Sequence, residues 1–190
     1  MTSAGSTEPR RSPHAAHIDA QSGRTSLIRP PRIDEGIDLW RIARDSQTLD
    51  LNSSYAYVLY ARDFASTCRI ALVDEHPAGF VLGYRRPADP SCLFVWQVAV
   101  DAGFRGLGLA GRMLDSLIHD ATVEPRVRTL QTTITDDNVA SQRTFGSLAA
   151  RWGNAPMTVT PLFETAHLSL EGPDADLHDP ERLYEIGPPM

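Results

Sequence analysis

Hydrophobic positions change their spacing along the chain, and the clearest change lies just past its middle. From Leu93 to Val100 every residue except Gln97 is apolar, which is typical of a strand that is covered on both faces. After a short glycine-rich turn, apolar residues recur along one side of a helix, at Leu109, Met113, Leu114, Leu117 and Ile118. The pattern therefore predicts a buried strand that leads through a tight turn into an amphipathic helix.

Shorter patterns on either side predict the remaining elements. Upstream, proline and polar breaks separate a short strand, two helices and a hairpin, at residues 27–29, 34–45, 55–66, 68–73 and 79–84. Downstream, the pattern predicts a strand, a helix and a last apolar run, at residues 129–134, from 137 onward and at 183–186. The predicted order is a strand, two helices and three antiparallel strands, followed by helix, strand, helix and strand.

Composition divides the chain into two parts. Residues 1–26 are rich in Ser, Thr, Pro, Arg and His and have almost no large apolar side chain. Such a segment buries too little surface to offset its ordering entropy, so we expect a disordered N-terminal tail. Residues 27–190 have the length and the patterning of one domain of mixed α/β class.

Charge and cysteine content narrow the classes of function. The net charge is -6 and the basic residues, all of them arginine, are scattered, which argues against a nucleic-acid partner. Cys68 and Cys92 lie in apolar runs, so we expect reduced core thiols, with a functional thiol as the alternative. We find no metal-ligand spacing, membrane span or signal-peptide core, and we expect a cytoplasmic protein that needs no metal and contacts no membrane.

The glycine-rich turn after the central strand is suited to binding a phosphate. Gly106 and Gly108 have no Cβ, so N–H groups at a helix start can approach an anion closely, and Arg105 adds a positive charge. A Walker-type nucleotide loop requires a lysine, and the chain contains none. A dinucleotide fingerprint is formally satisfied by Gly106, Gly108 and Gly111, but this turn follows antiparallel strands instead of opening a parallel sheet.

The turn also matches a third signature. Residues 105–110 fit the pattern Arg/Gln-x-x-Gly-x-Gly/Ala, and residues 137–141 begin a helix after a strand; in both segments the chain resembles the GNAT N-acetyltransferase superfamily. The resemblance implies that superfamily's fold over residues 27–190, a mixed and mostly antiparallel central sheet with helices on both faces. It also implies acetyl-CoA as co-substrate, with contacts at Val98, Ala99, Val100, Arg105, Gly106, Leu107, Gly108, Leu109, Ala110, Asn138 and Ser141.

Four further segments narrow the resemblance. Residues 50–57, 94–100, 132–138 and 178–181 are similar to the L-2,4-diaminobutyrate acetyltransferases of ectoine biosynthesis, a group within the superfamily. That resemblance implies transfer of acetyl from acetyl-CoA to the γ-amine of L-2,4-diaminobutyrate, and it implies a homodimer. The alternatives are a GNAT enzyme for another small amine, an amino acid or a protein amine, and a non-catalytic acyl-CoA-binding module.

The same resemblance implies the residues that bind the acceptor amine. Asp50 and Glu181 are expected to hold the ammonium groups, with His178 as a partner or proton relay. Apart from the resemblance, each of the three also fits an ordinary cap, turn or first-turn position. Further expected contacts, each with a plain structural alternative, are Asn52, Ser53, Trp96, Thr132 and Thr133.

Two details of the central strand and the next-to-last helix bear on mechanism. Successive strand side chains point to opposite faces, so only one of Trp96 and Gln97 is expected in the acceptor pocket, and Trp96 is favoured. Phe145 occupies the position at which many superfamily members have a tyrosine that protonates the leaving thiolate. Tyr55, Tyr57 or water is therefore expected in that role, since a thiol with a reference pKa of about 8.5 leaves with little assistance.

Overall fold

Helices and strands follow the predicted order, with one added strand near the N-terminus and further additions near the C-terminus. This computed structural model describes residues 16–18, 23–120, 125–169 and 178–188. The strands in these ranges are β1 His17–Ile18, β2 Thr25–Arg29, β3 Arg69–Val73, β4 His76–Arg86, β5 Asp89–Val100, β6 Thr129–Ile134, β7 Met157–Phe163 and β8 Glu181–Ile186. The helices are α1 Gly36–Ser46, α2 Ser54–Asp63, α3 Leu109–His119, α4 Val139–Arg151 and α5 Thr165–Leu168, with 3₁₀ turns at Ile33–Glu35, Ala65–Thr67 and Ala102–Phe104.

The described strands form one mixed sheet in the order β1-β2-β3-β4-β5-β6-β8-β7. Neighbours pair antiparallel except β5 and β6, which run parallel from Cys92 opposite Thr129 to Val95 opposite Thr132. Their ladder ends there, although both strands continue. The sheet therefore opens between the second half of β5 and the end of β6, and main-chain groups of β5 face that gap.

Apolar side chains pack in two clusters, one on each face of the sheet. One cluster joins α1 and α2 to the sheet, with Leu39, Tyr57 and Phe80 fully buried. The other joins α3 and α4 to the opposite face, with Met113 and Leu148 fully buried. A mostly antiparallel sheet covered by helices on both faces confirms the predicted fold class.

The ladder between β4 and β5 shifts by one residue at Trp96. Leu82 lies opposite Gln97, whereas Gly83 lies opposite Val95. Trp96 therefore has no partner of its own, and the strand forms a β-bulge there. A bulge breaks the strict alternation of side chains on which the expectation for Trp96 and Gln97 depended.

A buried ion pair connects the end of α3 to the sheet. Arg69 Nη2 donates to Asp120 Oδ2 at 2.6 Å, and the two side chains are 0% and 2% exposed. The guanidinium also donates to Ser116 Oγ and to the main-chain oxygens of Ser66 and Cys68. Since Asp120 directly follows α3, this network fixes the helix whose first turn follows the glycine-rich loop.

The C-terminal region contains elements that the apolar pattern did not predict. β7 and α5 lie where the sequence indicated only a loose tail. Every residue of β7 is exposed, and threonine and proline interrupt its apolar positions. An edge strand with no buried face has no clear alternation of hydrophobic and polar residues, so this strand left no strong signal.

The expected N-terminal tail is described only in part. β2 begins at Thr25 and not at residue 27, and β1 pairs with its start. Residues 1–15 and 19–22 of the expected tail lie outside the described residues. Cys68 and Cys92 are buried free thiols, as expected, and burial raises the pKa of Cys68 to about 12. Among the described helices, none combines the length and the apolar character needed to cross a membrane.

Candidate active site

A cavity of about 920 Å³ lies between the second half of β5 and the first turns of α3 and α4. Gly106 and Gly108 adopt φ angles of +83° and +66° at its wall, in the left-handed region that glycine enters at little cost. Gly108 is the N-cap residue of α3. The free N–H groups of the first turn of α3 therefore lie at the cavity, in a position suited to an anion.

The first turn of α4 forms another wall of this cofactor cavity. Asn138 Oδ1 accepts a hydrogen bond from the main-chain N–H of Ser141 at 3.0 Å, which caps the helix. Arg105 and Arg143 line the cavity with exposed side chains, while Arg151 is held in an ion pair with an aspartate of α3. Arg105 and Arg143 therefore supply positive charge to a ligand with phosphate groups.

All but one of the predicted acetyl-CoA contacts line this cavity, namely Val98, Ala99, Val100, Arg105, Gly106, Gly108, Leu109, Ala110, Asn138 and Ser141. The exception is Leu107, whose side chain packs against the core between the sheet and α3 and α4. Sequence reasoning missed a third wall, Thr48 and Leu49 after α1, because nothing in a polar loop indicates which helix ends it faces. It also missed Arg143, which lies three residues after Ala140 and so on the same side of α4, in the same cavity wall.

A second cavity, of about 300 Å³, adjoins the first and is called the acceptor cavity below. Both cavities share part of their walls, including Leu49, Val98, Asn138 and Phe145. The phenyl ring of Phe145 is 3% exposed and cannot donate a proton to a group at this junction. In the described ranges, no three His, Cys, Asp or Glu side chains are grouped so that they could hold a metal ion.

Asp50 and His178 meet across the mouth of the acceptor cavity. His178 Nε2 lies 2.9 Å from Asp50 Oδ2, and its Nδ1 lies 2.7 Å from the main-chain oxygen of Asp179. Both neighbours only accept hydrogen bonds, so both are satisfied when each ring nitrogen has a proton. The Asp179 oxygen and the Asp50 carboxylate together raise the pKa of His178. The pair is therefore an imidazolium beside a carboxylate up to a higher pH than an ordinary histidine allows.

Glu181 places a second carboxyl group in the wall of the acceptor cavity. Burial raises its pKa, and a hydrogen bond from the Thr133 hydroxyl and the charge of His178 offset part of that rise. Its Oε2 is buried and has no hydrogen-bond partner among the described residues. A carboxylate oxygen placed in this way is an acceptor for a cationic ligand or for its proton.

Trp96 and Gln97 both turn toward α2, so the expectation that only one of them faces the acceptor cavity is wrong. The reason is the bulge at Trp96, which breaks the alternation. The Trp96 ring stacks on Tyr60 with ring centroids 5.0 Å apart. Gln97 Nε2 donates to the main-chain oxygen of Asp50 at 3.0 Å. Trp96 and Gln97 both line the acceptor cavity. Gln97 is therefore a site residue that strand periodicity did not identify.

The other predicted acceptor residues divide by element. Those on the sheet and at the start of β8 line the acceptor cavity together with Asp50 and His178, namely Trp96, Thr132, Thr133 and Glu181. Three predicted residues between α1 and the first turn of α2 line neither cavity, namely Asn52, Ser53 and Tyr55. Tyr55 is 68% exposed, whereas Tyr57 is fully buried beneath the loop. The structure therefore places neither phenol at the junction of the cavities.

Comparison with known proteins agrees with this geometry. The sequence model of the acetyltransferase (GNAT) family matches residues 36–149. The L-2,4-diaminobutyric acid acetyltransferase of Streptomyces avermitilis is 50% identical over 180 residues, which span 92% of this chain and 97% of the relative. The enzyme of the same name from Streptomyces coelicolor is 49% identical over 176 residues, spanning 92% of this chain and 96% of the relative.

A solved structure is also similar. It is the diaminobutyrate acetyltransferase from Paenibacillus lautus in complex with its substrate L-2,4-diaminobutyric acid and coenzyme A. The two chains superpose with a TM-score of 0.78 at 37% sequence identity, over 86% of this chain and 95% of that chain. The similarity therefore extends over nearly the whole fold, including the elements that form both cavities.

Proposed function

Because the chain belongs to the acetyltransferase (GNAT) family, and within it to the L-2,4-diaminobutyric acid acetyltransferases, we propose that it transfers acetyl from acetyl-CoA to the γ-amine of L-2,4-diaminobutyrate. The product is N-γ-acetyl-L-2,4-diaminobutyrate, and the second product is free coenzyme A. The observation that carries the proposal is a small acidic cavity, with Asp50 and Glu181 in its wall, next to the glycine-loop cavity.

Charge and size both favour a small diamino acid as the acceptor. At neutral pH L-2,4-diaminobutyrate has two ammonium groups and one carboxylate. Asp50 and Glu181 provide negative charge for the ammonium groups, and His178, when protonated, provides positive charge for the substrate carboxylate. A volume of about 300 Å³ holds a molecule of this size and leaves little room for a peptide chain.

Glu181 is our candidate for the group that removes the proton from the γ-ammonium. An amine with a reference pKa of about 10.4 is mostly protonated at neutral pH, so the reaction requires a base. Burial raises the pKa of Glu181, which makes its carboxylate a better base than an exposed glutamate. His178 is less suited to this role, because its neighbours favour the form that already has both protons.

The free amine then attacks the thioester carbonyl carbon, and the carbon–sulfur bond breaks. As the amide forms, the γ-nitrogen loses its second proton to solvent water, and coenzyme A leaves as a thiolate that takes a proton from solvent water, so these two transfers cancel. Main-chain N–H groups of β5 near Val98 and Val100, which line the cofactor cavity, polarise the carbonyl. Most of the rate enhancement comes from holding amine and thioester together.

Thiol release from acetyl-CoA with a panel of amines tests the proposal. L-2,4-diaminobutyrate should be turned over with a much higher kcat/KM than ornithine or lysine, and NMR of the product should show acetylation at the γ-nitrogen. Equal turnover of the three amines would indicate a general small-amine acetyltransferase. Binding of acetyl-CoA without turnover of any amine would indicate a non-catalytic acyl-CoA-binding module.

We propose that two chains form a homodimer through the β7 edge of the sheet. Its apolar side chains Met157, Val159, Leu162 and Phe163 are between 38% and 43% exposed. Exposed apolar side chains on an edge strand favour pairing with a second copy. Light scattering should give twice the chain mass of 20.9 kDa, and Val159→Glu should reduce that mass to one chain; a wild-type monomer would contradict the proposal.

We also propose a cytoplasmic location and a place in ectoine biosynthesis, with a role in osmoadaptation. Support comes from the co-substrate, since acetyl-CoA is a cytoplasmic metabolite, and from the product, which is the acetylated precursor of ectoine. Fractionation of the source cells should recover the chain with cytoplasmic enzymes. Deletion of its gene should abolish ectoine accumulation in high salt, and unchanged accumulation would contradict the assignment.

A further inference from the structure

Gln97 has a polar side chain in an apolar stretch of β5, and it is 4% exposed. A buried carboxamide destabilises the fold unless its hydrogen bonds with water are replaced. The amide nitrogen has such a replacement, since Nε2 donates to the main-chain oxygen of Asp50 at 3.0 Å. The contact joins residues that are far apart in sequence, and it joins the central strand to the loop between α1 and α2.

Few other hydrogen bonds hold the main chain of Asp50 in the loop between α1 and α2. Asn52 Nδ2 donates to the same main-chain oxygen at 3.3 Å, but Asn52 belongs to the loop itself. The Asp50 side chain is 81% exposed, yet its Oδ2 meets His178 Nε2 at 2.9 Å. Because packing does little to hold an exposed carboxylate, its position depends on where the main chain of Asp50 is held.

The orientation of the Gln97 carboxamide follows from the same contact. If the amide were turned over, Oε1 would face the Asp50 carbonyl oxygen, and two acceptors would repel each other. Gln97 Oε1 is buried without a hydrogen-bond partner among the described groups, whereas the Tyr57 hydroxyl lies close enough to the Gln97 amide for that amide to lower the Tyr57 pKa, against the rise that burial causes. The bond from Nε2 to Asp50 is therefore the interaction that gives this side chain its orientation.

We propose that Gln97 is a positioning residue of the acceptor site, which holds the main chain of Asp50 against β5 and so keeps the Asp50 carboxylate beside His178 and the substrate amine. The inference rests on the proposed function for the identity of the amine. Because β5 also lines the cofactor cavity, the same strand positions both reactants. Gln97 itself lines the acceptor cavity and not the cofactor cavity, so a substitution there should affect the acceptor and leave acetyl-CoA binding unchanged.

Gln97→Met tests this proposal, since methionine has a similar length but no amide. Gln131→Met is a matched control, because Gln131 is also a buried glutamine, 6% exposed, on the neighbouring strand, with hydrogen bonds to Arg86 and Glu185. Loss of one buried hydrogen bond predicts a rise of about tenfold in KM for L-2,4-diaminobutyrate. KM for acetyl-CoA should stay within about twofold, and Gln131→Met should change neither constant.

A second readout separates positioning from a purely structural role. In Gln97→Met the pKa of His178, followed by NMR titration, should fall because the Asp50 carboxylate is no longer held beside it. A loss of thermal stability in both methionine variants, with unchanged kinetics and an unchanged His178 pKa, would overturn the proposal. This titration needs no turnover, so it tests Gln97 even if the wild-type enzyme fails to acetylate L-2,4-diaminobutyrate.

If Gln97→Met does not fold, Asn52→Ala tests whether hydrogen bonds to the main-chain oxygen of Asp50 position its carboxylate. It removes the weaker donor to the same oxygen from a loop side chain. The acceptor KM should rise by less than in Gln97→Met, and the pKa of His178 should fall in the same direction. A rise in KM with an unchanged His178 pKa would assign Asn52 to direct substrate contact and would count against positioning through the Asp50 main chain.

Discussion

At the scale of single residues, the acceptor site assigns different tasks to its three ionisable side chains. His178 lies between two hydrogen-bond acceptors, which raise its pKa, so its neighbours favour the protonated form and make it a poor candidate for the base. Glu181 has a raised pKa and an unpaired buried oxygen, so its carboxylate is free to accept a proton. Asp50 is therefore a binding group whose charge is shared with His178, and Glu181 is the candidate base.

Asp50→Asn tests the binding role of that carboxylate. Removing the charge should raise KM for L-2,4-diaminobutyrate by about tenfold or more, since charge-assisted hydrogen bonds contribute about 1.5–3 kcal/mol. Steady-state kinetics with each substrate varied should show a KM for acetyl-CoA close to that of the wild type. Asp63→Asn is the control, because Asp63 is exposed and paired with Arg62 on α2, and it should change neither KM. A higher KM for acetyl-CoA in Asp50→Asn would contradict the assignment.

The pH dependence of kcat tests Glu181. A carboxyl group accepts a proton only when it is ionised, so kcat should fall as the pH falls through its pKa. Burial raises that pKa, so the fall should begin at a higher pH than for an ordinary glutamate. Glu181→Gln should lower kcat by about a hundredfold or more and abolish the acidic limb.

Glu185→Gln is the matched control for that experiment. Glu185 lies on the same strand, β8, and accepts a hydrogen bond from Gln131, but it is not part of either cavity wall. Its variant should retain both kcat and the acidic limb. If Glu181→Gln retains the acidic limb as well, another group removes the proton.

At the scale of elements, the start of α3 determines how acetyl-CoA is held. Gly108→Ala should raise KM for acetyl-CoA, because alanine at a φ of +66° is strained by roughly 1 kcal/mol and displaces the first N–H groups of the helix. Calorimetric titration with coenzyme A should show the same weakening. Gly103→Ala is the control, since Gly103 is also free of close neighbours but has no positive φ. Equal affinity of the two variants for coenzyme A would mean that the phosphate-binding turn does not require glycine at position 108.

The distance along the chain between site residues explains which part of the site could be predicted from the sequence. The cofactor cavity is built from two short segments, residues 105–110 and 138–141. Within each segment the functional residues lie only a few positions apart, so glycine spacing and helix caps identify them without long-range contacts. The acceptor cavity brings together segments near residues 50, 97, 133 and 180. Only the family resemblance indicated that these segments meet.

The bulge and the edge strand mark the limits of the apolar pattern. One extra residue at Trp96 changes which side chains face α2, and periodicity in a continuous apolar run contains no signal for it. β7 has no buried residue, so it lacks the alternation that identifies a half-buried strand. By contrast, α3 was predicted correctly, because its apolar stripe packs on a large core cluster.

At the scale of the whole molecule, both cavities depend on helices that pack on one sheet. The buried ion pair between Arg69 and Asp120 connects the end of α3 to that sheet. The Arg69 guanidinium is fully buried and its charge is balanced by Asp120. Burial lowers the pKa of Arg69 and the charge of Asp120 offsets part of that fall. Because a guanidinium stays protonated in proteins, its burial is tolerated only while Asp120 balances its charge. Asp120→Asn keeps the shape of the side chain but leaves the guanidinium without a counter-charge.

We expect Asp120→Asn to destabilise the protein by about 3 kcal/mol or more, because breaking a buried ion pair leaves an uncompensated charge in the interior. Urea unfolding should show this as a lower midpoint with an unchanged slope. Asp45→Asn is the control, since Asp45 is paired with Arg44 at the exposed end of α1, and exposed ion pairs contribute little to stability. Equal midpoints for the two variants would show that the buried pair does not hold α3. A loss of stability accompanied by a higher KM for acetyl-CoA, well below the unfolding transition, would link the anchor at the end of α3 to the phosphate-binding turn at its start.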